Sequence, residues 1–110
     1  MTRTFIQTME FSRNWDRLGF QDSDLRRLEL ELLFNPTAFP VLRGTGGLRK
    51  MRFSRESEGK RGGVRVCYVD FVVEEVIYLI TVYPKKEKEN LSTAERNTIK
   101  KALDILRTSL

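Results

Sequence analysis

Two strongly apolar stretches, "VRVCYVDFV" (64–72) and "VIYLITVY" (76–83), lie three residues apart and are rich in β-branched and aromatic side chains. Residues of this kind favour strands, and strands joined by so short a link lie side by side and antiparallel. Any fold of the chain has to be arranged around this pair. The turn between them is expected around Glu74 and Glu75, which suit a tight hairpin poorly, since such turns favour glycine or asparagine.

The flanking segments supply the rest of an α+β domain. "LRKMRF" (48–53) reads as a third strand, and "RTFIQT" (3–8) alternates as an edge strand does. Met9, Phe11, Trp15 and Leu18 recur at helical spacing before Gly19. In "DSDLRRLELELLFNP", Asp22 or Ser23 is placed to cap a second helix, Leu25, Leu28, Leu32 and Leu33 form its stripe, and Asn35-Pro36 ends it. A final helix opens with the capping box of Ser92 and Glu95 and carries Ile99, Leu103 and Leu106 on one stripe. The expectation is a compact antiparallel β-sheet with two N-terminal helices and a C-terminal helix. At 110 residues, one domain over 1–110 is expected.

Several functions are set aside by composition. The longest apolar run, Phe71 to Tyr83, is broken by Glu74 and Glu75 and is too short to span a bilayer, so no membrane is expected as a partner. The start lacks the apolar core and small-residue cleavage site of a secretory signal, and the single cysteine, Cys67, has no internal disulfide partner; a cytoplasmic location is expected. With no histidine and one cysteine, a zinc site of the Cys/His kind is not available, and the carboxylates do not cluster, so neither a metal nor a cofactor is expected. Catalysis would have to rely on Lys, Arg, Tyr, Asp or Glu.

The formal net charge of +5 is unevenly placed. Residues 1–42 carry a net −1, residues 66–110 carry 0, and residues 43–65 carry +6, with six arginines, two lysines and six of the seven glycines. Arginine in this excess suits planar, bidentate contact with phosphate, so a polyanion, and nucleic acid first, is the expected partner. Side chains two apart share a face of a strand, so Lys50 and Arg52 point one way and Met51 and Phe53 the other. Arg65 opens the next strand, and Tyr83, Lys85 and Lys86 stand at the end of the third. RNA is cut by its own 2′-hydroxyl when a base takes that proton, cations steady the phosphate and an acid protonates the leaving oxygen. Lys50, flanked by Arg49 and Arg52, is a candidate base; arginine suits the phosphate; Tyr83, Lys85 or Lys86 can serve at the other end. The glycines are expected to allow tight turns and close approach of backbone to RNA.

"GTGGLRKMR", then "GKRGGVRVCYV", then "YLITVYPKKEKENLS" closely resemble the HigB branch of the RelE/ParE toxin superfamily of bacterial toxin–antitoxin modules. The motifs cover residues 44–92, and the flanking helices fit the same fold. The resemblance implies a metal-independent endoribonuclease that cuts mRNA in the A site of the 70S ribosome and inhibits translation. It also implies a cognate antitoxin, HigA-like and of the helix-turn-helix DNA-binding kind. By the resemblance, Arg65 matches a required arginine of the second strand, Lys50 and Arg52 a basic pair on the preceding strand, and Lys85 and Lys86 the basic turn after the last strand. Arg49, Arg55, Lys60 and Arg61 are the candidates for docking on ribosomal RNA. Pro84 stands where glycine is common, and the tyrosine near the start of the last helix has no counterpart at Leu91 or Ser92, which leaves Tyr83 as its candidate substitute. Two other functions share the scaffold: a ParE-like toxin that binds DNA gyrase, and an inactive, antitoxin-bound regulator.

Overall fold

Strands β3 (Val64–Phe71) and β4 (Val76–Pro84) pair antiparallel at the centre of a four-stranded sheet, ordered β1-β4-β3-β2. In this computed structural model residues 2–55 and 63–109 are described. Strand β2 (Arg49–Phe53) pairs antiparallel with β3, and β1 (Thr4–Gln7) forms the opposite edge beside β4. Because β1 runs parallel to β4, the sheet is mixed; the antiparallel order expected throughout holds for the other three strands. Apolar alternation says which side chains turn inward but is silent on direction. Arg3, just ahead of β1, reaches past β4 to Asp70 of β3, with Nε 2.8 Å from Oδ1 and Nη2 3.3 Å from Oδ2. That buried fork ties the parallel strand to the sheet.

One irregularity sets the faces. Cys67 is opposite Thr81 but Tyr68 is opposite Leu79, so Ile80 is an extra residue in β4. A bulge of this kind reverses the parity of every side chain beyond it. Before it Ile77 and Leu79, and after it Val82, enter the core under the N-terminal helices; Ile80 and Tyr83 join the core under the last helix. The edge of β4 beyond β1 is covered by α1 (Met9–Arg17): the Thr8 hydroxyl donates to the Ile80 carbonyl at 2.7 Å while accepting the Phe11 N–H at 3.0 Å, and Asn14 Nδ2 donates to the Val82 carbonyl at 3.2 Å.

Helix α2 (Asp22–Phe34) follows, its Leu28 and Leu32 fully buried as the leucine stripe predicts. It starts one residue early: Gln21 is the N-cap, and Asp24 accepts the Gln21 N–H at 2.9 Å, so Asp22 and Ser23 lie inside the first turn. Phe20 stacks on Trp15 with ring centroids 4.2 Å apart, and this contact fixes where the helix enters. Helix α3 (Thr93–Ser109) opens with the expected capping box, Glu95 N–H to Ser92 Oγ at 3.1 Å and Ser92 N–H to Glu95 Oε1 at 2.9 Å, and buries Leu103 on the other face of the sheet. No helix among the described residues is long and apolar enough to cross a membrane.

The segment between α2 and β2 is pinned rather than loose. Tyr68 donates to the Pro36 carbonyl at 2.8 Å, and the Lys50 N–H donates to the Pro40 carbonyl at 3.2 Å. At Gly47, φ is +116°, and a Cβ would sit 2.9 Å from Nη2 of Arg107, which donates to the Gly46 carbonyl. The close approach that glycine permits here is to the last turn of α3.

The β3–β4 loop, 72–75, places Glu75 at φ 56°, a left-handed conformation that an L side chain enters at a cost. Glu75→Gly should therefore raise the stability to chemical denaturation by on the order of 1 kcal/mol without altering the fold. Lys88 holds the Glu95 carboxyl below its ordinary value of 4.5, with Ser92 assisting. A carboxyl lowered by folding stabilises fully above about pH 4.5 and loses that contribution as pH falls through its folded value. Fraying of α3, followed by amide exchange, should rise in that acid range in the wild type and be flatter in Glu95→Gln.

Candidate active site

The register turns the parity argument into a row. Arg52 is directly opposite Arg65, and Arg65 is directly opposite Tyr83, so two guanidinium groups and a phenol stand side by side across three strands. One step along, Lys50 is opposite Cys67 and Cys67 opposite Thr81. This face is the one that α3 covers farther on, through Leu48, Val69 and Leu103. Toward the exposed edge a cleft of about 650 Å³ wraps around β2, with Lys50, Arg52, Arg65 and Asn90 among its lining on one side and Arg27 and Phe39 on the other.

Arg65 is the deepest of these cations, 5 % exposed, and its Nη1 has no hydrogen-bond partner among the described residues. The Tyr83 hydroxyl beside it is likewise buried and unpartnered. Burial, and then the neighbouring Cys67 thiol, pushes the Tyr83 phenol well above its ordinary value. The thiol lies beside the hydroxyl without hydrogen-bond geometry, and burial raises the thiol itself to about 12. At neutral pH the phenol therefore keeps its proton and can donate it. Two adjacent buried donors lacking acceptors are matched by one anion with several acceptor oxygens.

The other candidates divide. Lys50 is half-buried, and its Nζ donates to Asn90 Oδ1 at 3.1 Å; Arg52 is exposed in the cleft. Lys85 and Lys86 are exposed on the turn after β4 and do not line the cleft. Arg49 spends its Nη1 on the carbonyls of Thr37, at 3.2 Å, and Phe39, at 2.6 Å, so it braces the cleft wall. Arg55 donates to the Leu18 carbonyl and lies 4.3 Å from the centroid of the Phe20 ring. Lys60 and Arg61 lie outside the described residues.

Sequence reasoning missed three groups. Arg27 sits 4.4 Å above the Phe53 ring and donates to the Ser54 carbonyl at 2.8 Å, forming the far wall. Asn90 holds Lys50, and Lys88 folds back over the Tyr83 ring at 5.1 Å. No local pattern in the sequence marks these contacts. No group of three or more His, Cys, Asp or Glu among the described residues is placed to hold a metal ion.

The fold and site define a small α+β domain with cations and a phenol aligned on one sheet face, the Nη1 of its buried arginine unpartnered among the described residues, an arrangement suited to an anion. Residues 42–109 match the family model described as RelE toxin of the RelE/RelB toxin–antitoxin system, and the chain belongs to that family. Two solved structures share its fold. A double-arginine mutant of the E. coli toxin RelE in the free state aligns at TM-score 0.56 and 21 % identity, over 81 % of this chain and 90 % of that one. The intact E. coli RelBE toxin–antitoxin complex aligns at TM-score 0.54 and 21 % identity, over 74 % and 94 %.

A buried cation with an unpartnered donor opposes folding, and Nη1 of Arg65 has no partner among the described residues, so Arg65 is kept at a cost in stability. Arg65→Met should be at least as stable as the wild type in thermal unfolding, whereas a structural arginine would lower the midpoint on replacement.

Proposed function

We propose that this toxin is a ribosome-dependent endoribonuclease of the HigB branch, cutting mRNA in the A site, with the motif from Gly44 to Ser92 supporting the branch. The observation that carries the reading is the Arg52–Arg65–Tyr83 row, with Lys50 one step along the same face. The attacking 2′-oxygen forms a bond to phosphorus as the bond from phosphorus to the 5′-oxygen breaks, leaving a 2′,3′-cyclic phosphate and a 5′-hydroxyl. Arg65 and Arg52 hold the phosphate oxygens, where charge builds in the transition state. Lys50, steered by Asn90, takes the 2′ proton, and Tyr83, whose phenol stays protonated, gives one to the leaving 5′-oxygen. The reading needs no metal.

Lys85 and Lys86, exposed on their turn, and Lys60 and Arg61 in the glycine-rich segment are suited to ribosomal RNA phosphates rather than to the scissile one. Arg49 and Arg55, already engaged with carbonyls and a ring, act by shaping the cleft and its neighbourhood. A cognate antitoxin, HigA-like and DNA-binding, holds the toxin in check, a reading supported by the family and by the solved complex of its E. coli relative. A toxin that acts on ribosomes in this way works in the cytoplasm.

With translating ribosomes and mapped mRNA ends, the wild type should cut message, Arg65→Ala should lose on the order of 100-fold or more in rate, and Lys85→Ala should lose far less at low salt. Intact message with the wild type, or inhibited gyrase supercoiling beside intact message, would overturn the assignment.

A further inference from the structure

The turn after β4 offers three lysines, and one of them behaves differently. Among the described residues the side chains of Lys85 and Lys86 make no hydrogen bond or ion pair, whereas Lys88 turns inward. Its Nζ lies 2.5 Å from Glu95 Oε2 and 5.1 Å from the centroid of the Tyr83 ring. Tyr83 is opposite Arg65, so Lys88 stands over the same row that carries the unpartnered Arg65 Nη1 and the Tyr83 hydroxyl. Glu95 meanwhile uses its other oxygen, Oε1, to accept the Ser92 N–H. One carboxylate thus starts the helix and restrains a cation beside the site.

We infer that Lys88 is a further phosphate-binding cation of the active site and that Glu95 is its positioning residue, an internal anion that keeps the ammonium over Tyr83 until an RNA phosphate takes its place. The inference rests on the proposed RNA-cleaving function. The pair is a third or more exposed on both sides, 36 % and 41 %, and an ion pair in water at that exposure is weak enough for a phosphate to displace. The ring face keeps the ammonium near the row once the carboxylate lets go. Lys88 then adds a positive charge where Arg65 and Tyr83 offer hydrogen bonds.

The test is binding of a short single-stranded RNA oligonucleotide by fluorescence anisotropy, alongside cleavage of ribosome-bound message. Lys88→Gln should weaken binding about fivefold. Glu95→Gln keeps an oxygen for the Ser92 N–H but removes the rival charge; it should tighten binding several-fold, more so at low salt, and most of that gain should vanish in the Lys88→Gln, Glu95→Gln double variant. A Lys88→Gln variant that binds like the wild type overturns the inference, as does a Glu95→Gln gain of equal size with and without Lys88. Should Glu95→Gln lose helix content by circular dichroism, Lys88→Gln alone decides. A wild type that cuts message while these variants bind unchanged sinks the role of Lys88 and leaves the proposed function standing; a wild type that leaves message intact sinks both.

Discussion

The bond from the Thr8 hydroxyl to the Ile80 carbonyl marks the point on which the structure turns. A bulge frees a carbonyl from the ladder, and a buried carbonyl without a donor is costly. Thr8 supplies that donor and in the same position caps α1, so the end of the parallel edge strand, the start of a helix and the kink of a central strand are settled together. The parity change at Ile80 then places Tyr83 on the α3 face, beside Arg65. Without it, the phenol and the arginine row would face opposite layers.

Much of this was legible in the sequence because the signals were local. Runs of β-branched and aromatic residues marked β3 and β4, helical spacing marked the leucine stripe of α2, and the Ser92–Glu95 spacing marked the start of α3. The direction of β1 was not legible, because Thr4 pairs with Val76 and no local rule reaches across such a separation. The bulge was equally hidden, since "YLITVY" reads as an unbroken strand whichever residue is extra.

The site was legible by kind more than by geometry. Alternation put Lys50 and Arg52 on one face, yet only the register could show Arg65 facing Arg52 and Tyr83 together. A basic residue in a sequence does not say what its charge meets. Arg49 and Arg55, in the most basic stretch, turn to backbone carbonyls, while Lys88, masked by Glu87 and Glu89, turns to the face that carries Arg65 and Tyr83. Arg65 stands out for the opposite reason: the fold buries it and, among the described residues, gives its Nη1 nothing to bind.

Helix α3 touches both ends of this arrangement, with Glu95 in its first turn against Lys88 and Arg107 in its last against Gly46. At 1.5 Å per residue those contacts are about 18 Å apart. The order of elements along the chain gives this a temporal side. A chain made from its N-terminus emerges with Lys50, Arg52 and Arg65 first, then Tyr83 and Lys88, and Glu95 after them. The cations exist before the carboxylate that restrains one of them, and β1 waits for Val76 before it has a neighbour. During its own synthesis the sheet gains its charge early and its counterweight late.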